Sequence, residues 1–117
     1  MICEIVSYPA PVGANREEIV EDAQTVVPKW RSNPDLIRKH FLWSDDGQRC
    51  CGVYLWKSRE AAERAHDASW RGEVEKRTGQ APEINYFDAF MILDNETDKV
   101  TVHPPTEPSP NVSETAI

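Results

Sequence analysis

The chain has 117 residues, a formal net charge of -7 and 39% hydrophobic residues. This length supports one domain around a single core. The acidic balance argues against nucleic acid, which is held by a positive footprint that displaces counterions. No run approaches the ~20 apolar residues of a membrane-spanning helix, so no membrane association is expected. The opening MICEIVSYPAP has no basic stretch ahead of an apolar run, as a secretory signal would. Residence in the cytoplasm is the expectation.

Cys3, Cys50 and Cys51 are an odd set without metal-binding spacing. Adjacent strand residues point to opposite faces, so a bridge between Cys50 and Cys51 is geometrically poor and free thiols are expected. Lys29, Arg31, Arg38 and Lys39 form a local basic cluster, suited either to solvent or to an anionic ligand.

In chain order, residues 2–8 (ICEIVSY) read as a first strand ended by Pro9 and Pro11. Asn15 has the chemistry of a helix N-cap, with Glu18 in capping-box position. Ile19, Val20, Ala23, Val26, Val27 and Trp30 then follow helical spacing. Pro28 disfavours helical geometry at the residue before it, so the first helix should stop or kink there. After a turn at Asn33-Pro34, residues 36–43 form a second strand, and the Asp46-Gly47 dipeptide marks a tight turn into a third strand over residues 50–56.

Centring that turn on Asp46-Gly47 sets Trp43 against Cys50, Phe41 against Gly52, Lys39 against Tyr54 and Ile37 against Trp56. One face then carries Phe41, Trp43, Tyr54 and Trp56; the other carries Leu36, Arg38, His40, Leu42, Val53 and Leu55. Both faces are largely apolar, and a sheet covered by its own helices on one side only should have a wet second side. A second copy of the chain is therefore expected to cover it, with His40 at the interface.

Ser58 is the expected N-cap of a second helix carrying Ala61, Ala62, Ala65, His66 and Trp70 on one side. Gly72 interrupts its pattern and Gly79 terminates it. The run INYFDAFMIL is a fourth strand. From Asp94 the chain is polar and proline-rich, which divides it into a domain over residues 1–93 and a C-terminal tail over residues 94–117, mobile or lying on a neighbour. The order βαββαβ belongs to an α+β fold of ferredoxin-like type, an antiparallel sheet packed on two helices.

Residues 33–65, NPDLIRKHFLWSDDGQRCCGVYLWKSREAAERA, followed by INYFDAF at residues 84–90, resemble the YdhR-like monooxygenase family of the dimeric α+β barrel superfamily. That resemblance implies a homodimer in which two sheets close a barrel, and a pocket between sheet and helices inside each protomer. Phe41, Trp43, Tyr54 and Trp56 would line the pocket, joined by His66 and Trp70, with Asn85 offering an amide. Relatives in the superfamily include cofactor-free oxygenases acting on polycyclic phenols and quinols, haem-degrading enzymes and lactone isomerases.

Nine residues separate Trp56 from His66, a spacing that the haem-degrading branch also shows. That branch further needs an asparagine late in its first strand, where this chain has Ser7 or its neighbours. No dinucleotide fingerprint, phosphate loop, metal triad or nucleophile elbow occurs. The chemistry expected without a cofactor uses the substrate itself. A base such as His66 removes a phenolic proton, the anion reduces dioxygen, and Tyr54 helps orient the ring. Haem binding and breakdown, and a non-enzymatic dimeric binder of small aromatic molecules, are the alternatives.

Overall fold

The computed structural model describes residues 1–106. The elements are β1 (Ile2–Pro9), α1 (Arg16–Thr25), α2 (Val27–Arg31), β2 (Leu36–Trp43), β3 (Arg49–Trp56), α3 (Arg59–Ala65), α4 (Ala68–Thr78), β4 (Glu83–Asp88), β5 (Met91–Asp94) and β6 (Lys99–Val102). The first four strands in sequence form an antiparallel sheet in the order β2-β3-β1-β4. With helical connections after β1 and β3, this is the expected α+β, ferredoxin-like arrangement.

Local chemistry sets the element boundaries. Asn15 and Glu18 form the reciprocal capping box that starts α1. Proline has no N–H to give and its ring crowds the preceding turn, so α1 ends at a Val26 cap and α2 restarts with Pro28 in its first turn. Ser58 accepts from the Ala61 amide and starts α3. Gly79, at φ 83°, closes α4 in the left-handed region that glycine enters without a Cβ penalty. The Arg59–Glu63 and Arg64–Glu60 pairs lie along the wet side of α3.

The strand periodicity of two separates the faces. Ile2, Glu4 and Val6 of β1 and Gly52, Tyr54 and Trp56 of β3 are buried under the helices, while the residues between them are only half-buried. The core consists of Ile2, Val6, Trp30, Tyr54, Trp56, Ala61 and Ala62. The two alanines present so little side chain that α3 lies close over β3.

Four expectations need correction. The β2–β3 register holds from Trp43–Cys50 to Lys39–Tyr54, but a bulge at Ile37 then sets Leu36 opposite Trp56. Leu36 thereby packs against the core and Ile37 turns outward. The second helix breaks at His66-Asp67 instead of at Gly72, because Asp67 accepts the Trp70 amide and starts a new helix. The run INYFDAFMIL is two strands: Ala89 N–H turns to Met1 O, Phe90 N–H bonds back to Asp88 O, and β5 leaves the sheet.

The fourth correction concerns the stretch from residue 94, which is not tail throughout. β5 pairs with β6 in a separate two-stranded ribbon, so residues 99–102 are strand and not tail. The rest of that segment, beyond Thr106, lies outside the described residues.

Gly52 lets Tyr54 lie flat along the sheet: a Cβ there would stand 2.6 Å from Tyr54 Cε1. Because Tyr54 is buried and has no room to retreat, Gly52→Ala is expected to destabilise the fold by about 1–3 kcal/mol. The shift of the guanidinium unfolding midpoint measures it.

Candidate active site

The site is built on Glu4, a carboxylate with no solvent exposure in the middle of β1. Its Oε1 accepts the indole N–H of Trp56 at 2.9 Å, across the sheet on β3. The same oxygen lies 2.8 Å from His66 Nδ1, at the α3–α4 break. A carboxylate oxygen only accepts, so Nδ1 carries the hydrogen, and in the neutral form of the ring Nε2 is left with the lone pair. Nε2 and Glu4 Oε2 are both buried and make no hydrogen bond within 3.5 Å, although the Tyr86 hydroxyl lies beside the Glu4 carboxylate. Buried polar atoms are nearly always satisfied, which makes the unpartnered Nε2 informative.

The helix break aims the imidazole. His66 N–H still bonds Ala62 O as the last donor of α3, while Arg71 Nε of α4 donates to His66 O at 2.8 Å. The ring therefore hangs inward from a backbone clamped by both helices. Four aromatic rings surround it, at centroid distances of 4.4 Å (Trp70), 4.7 Å (Tyr54), 5.3 Å (Trp30) and 6.4 Å (Trp56). His66 has no solvent exposure. Trp30 and Trp70 each turn another face to a surface groove, so they stand between the imidazole and solvent.

Burial, reinforced by Tyr8 and Glu4, holds the Tyr54 phenol well above its ordinary range, so it stays a neutral hydroxyl donor. Burial first and the Glu4 charge second push Tyr86 up to about 12. Lys39 moves the other way: desolvation, then repulsion by Lys29, lowers its ammonium to about 7. Its Nζ lies over the rings of Phe41, Trp30 and Tyr54.

Of the residues expected in a pocket, the structure brings His66, Trp56, Tyr54 and Trp70 together. Phe41 shares their face but is largely exposed at a groove beside Lys39. Trp43 packs over the hairpin turn, its indole N–H on Gly47 O at 3.3 Å, and does not reach the cage. Asn85 is exposed and pairs with Ile5, so strand parity sets it on the opposite face of the sheet.

Sequence reasoning missed Glu4, Trp30 and Lys39 as site residues. A signal for Glu4 was present, since a carboxylate in phase with Ile2 and Val6 falls on the buried face of the strand. Trp30 was visible as an apolar helix position, and Lys39 as a lysine in register with Phe41 and Tyr54.

Haem does not fit these residues. The space around His66 is filled by the chain's own rings, and Ser7 faces the other way, its Oγ accepting from Arg49 Nε at 2.9 Å. Among the described residues no group of three or more His, Cys, Asp or Glu side chains is arranged to hold a metal ion. No helix is long and apolar enough to cross a membrane.

The architecture is an α+β fold, and several solved structures that share it are named as monooxygenases. The monooxygenase ActVA-Orf6 of Streptomyces coelicolor, in complex with the ligand nanaomycin D, superposes with a TM-score of 0.56 at 20% identity, over 74% of this chain and 84% of that one. An antibiotic biosynthesis monooxygenase superposes at 0.58 with 14% identity, over 76% and 98%. A point mutant of SnoaB, a cofactor-independent oxygenase from Streptomyces nogalater, superposes at 0.55 with 14% identity, over 79% and 95%. No family model and no curated protein sequence matches the chain. At these identities the likeness shows a shared fold.

Replacing Glu4 by leucine strands both the Trp56 and the His66 N–H. Each stranded group costs about 1–3 kcal/mol, so Glu4→Leu is expected to lower unfolding free energy by about 2–6 kcal/mol. Glu4→Gln keeps an oxygen acceptor and should cost less than half as much in the same denaturant titration. Equal losses would mean that the cage rests on packing and not on this carboxylate.

Proposed function

We propose that the protein is a cofactor-independent monooxygenase, of the YdhR-like kind that the sequence resembles, acting on a small phenol or quinol. The observation that carries this reading is the unpartnered Nε2 of His66, held in an aromatic cage by a buried carboxylate on Nδ1. A carboxylate behind an imidazole fixes its tautomer and stabilises the imidazolium formed when the outer nitrogen takes a proton. The neighbouring rings of Trp30, Tyr54 and Trp70 suit a flat aromatic substrate.

In this mechanism Trp70 or Trp30 swings aside, which opens room for one or two fused rings but not for a haem macrocycle, and the substrate hydroxyl reaches Nε2. The proton passes to Nε2 and the phenolate becomes electron-rich enough to reduce dioxygen. An electron passes from the phenolate to dioxygen, and the resulting radical pair combines to place a peroxide on the ring carbon para to the oxygen. Loss of that carbon's hydrogen as a proton cleaves the O–O bond. The products are a quinone and one water, and the two oxygen atoms are divided between them. Tyr54, held neutral by its burial, orients the ring by donating its hydrogen. Exclusion of water keeps the charged pair in a medium where its electrostatics are strong.

One observation favours a second reading: His66 is completely enclosed by the chain's own aromatic rings. In that reading the Glu4–His66 pair is a core element of a non-enzymatic binder of small aromatic molecules. Oxygen uptake separates the two. The oxygenase reading expects 1,5-dihydroxynaphthalene, whose para carbon carries a hydrogen, to consume dioxygen faster with protein than without. A general base is worth about 10²–10⁴ in rate, so His66→Ala should reduce that uptake by such a factor. Turnover unchanged in His66→Ala removes the imidazole from the mechanism, and no protein-dependent uptake with any phenol or quinol leaves the binder.

We also infer that a second copy covers the open side of the sheet. Leu42 and Phe87 stand about half exposed on that face, and Met91, Leu93, Val100 and Val102 are exposed on the β5–β6 ribbon. An isolated two-stranded ribbon is at best marginally stable in water, so it needs a surface to lie on. Sedimentation equilibrium should give twice the chain mass, and Phe87→Glu should shift it toward the single chain. A monomeric wild type at tens of micromolar contradicts the assembly.

A further inference from the structure

Most of the basic cluster met in the sequence converges on a groove between α2 and β2 that lies outside the His66 cage. Its apolar walls come from Val27, Trp30, Leu36 and Phe41, and its charges from Arg31 and Lys39. No acidic side chain lines it, in a chain whose net charge is -7. The groove is shallow and open to solvent and offers about 330 Å³, room for a molecule of one or two rings.

Lys39 gives this groove its character. Its Nζ lies 4.0 Å from the Phe41 ring centroid, 4.5 Å from that of Trp30 and 4.6 Å from that of Tyr54. Ring faces attract an ammonium but accept no hydrogen bond in the ordinary sense. Among the described residues no carboxylate forms an ion pair with Lys39. A half-buried amine with three donors and no anion is an incomplete arrangement. Phe41, 43% exposed beside it, has a free face on which a flat ring can stack.

We propose that this groove binds a flat aromatic carboxylate, its ring against Phe41 and Trp30 and its charge on Lys39, with Arg31 at the rim. Charge complementarity selects the anion, and the apolar walls select an aryl body over a free inorganic ion. Burial and Lys29 lower the Lys39 ammonium to about 7, so at pH 8 the empty groove holds mostly neutral amine. The other titratable or charged groups facing it are Lys29 and Arg31 of α2 and Tyr54 of β3. An anion stabilises the protonated amine, so binding raises its pKa and takes up a proton from solution.

The test is calorimetric titration of the full chain with 2-naphthoate and with neutral 2-naphthamide, at pH 8, in two buffers of different ionisation heat. Naphthoate is expected to bind about ten- to a hundredfold more tightly than the amide. With an amine that titrates at about 7, uptake should approach about 0.9 proton per site. Lys39→Met should abolish both the preference and the uptake. Lys39→Arg, whose guanidinium is always charged, should keep the preference and lose the uptake. Equal affinity for acid and amide, absence of naphthoate binding at millimolar concentration, or a preference that survives Lys39→Met in a variant with wild-type circular dichroism overturns the proposal. The measurement uses neither dioxygen nor turnover, so it stands or falls apart from the oxygenase reading.

Discussion

The interaction on which the rest depends is the burial of Glu4. A carboxylate inside a core is costly unless it is met by donors, and here one oxygen collects two, from residues 52 and 62 positions away in sequence. Hydrophobic burial is non-directional, and aromatic pairs add only about 0.5–1.5 kcal/mol each beyond it. A charged acceptor, by contrast, requires its partners at hydrogen-bond distance and angle. Glu4 therefore fixes the rotation of the Trp56 indole and the tautomer of His66, and the aromatic cage assembles around groups whose directions are already set. The helix break supports the same end, since an imidazole at the end of a helix can point along a direction that a continuous turn would deny it.

Much of the fold was legible because it rests on local rules. Asn15 with Glu18, Ser58, Gly79 and the Asp46-Gly47 turn each declare a boundary through chemistry confined to a few residues. The hairpin register followed from its turn as far as Lys39–Tyr54 and failed only where a bulge intervened. Bulges answer to packing against the third dimension, here the space that Leu36 fills beside the core, and a linear pattern does not contain that information. The break at Asp67 was missed for a related reason: Asp67 competes with an unbroken helix, and the packing of His66 decides the contest.

The candidate site was half legible. Tyr54, Trp56, His66 and Trp70 lie on elements whose order alone brings them near one another. Glu4 went unnoticed because a single charged residue in a short apolar strand is ordinarily an outward-facing one; its phase with Ile2 and Val6 was the contrary sign. Asn85 and Trp43 show the opposite error. Residue type recommended them, but strand parity sets one on the far face and the length of the hairpin carries the other to its tip. The two sides of the sheet consequently have different characters. One is closed by helices around a polar pair, and the other carries apolar side chains to its surface.

The strand order has a consequence for how the molecule comes into being. β1 is an inner strand, paired on one side with β3 and on the other with β4. Residues 2–9 thus leave the ribosome without permanent neighbours until residues 49–56 and then 83–88 have followed. Both pairings of β1 join distant parts of the chain, and such non-local contacts are associated with slower folding. During synthesis an apolar strand with a carboxylate at its centre waits in solvent. The charge that later anchors the core would meanwhile keep that strand soluble and oppose its pairing with another nascent chain.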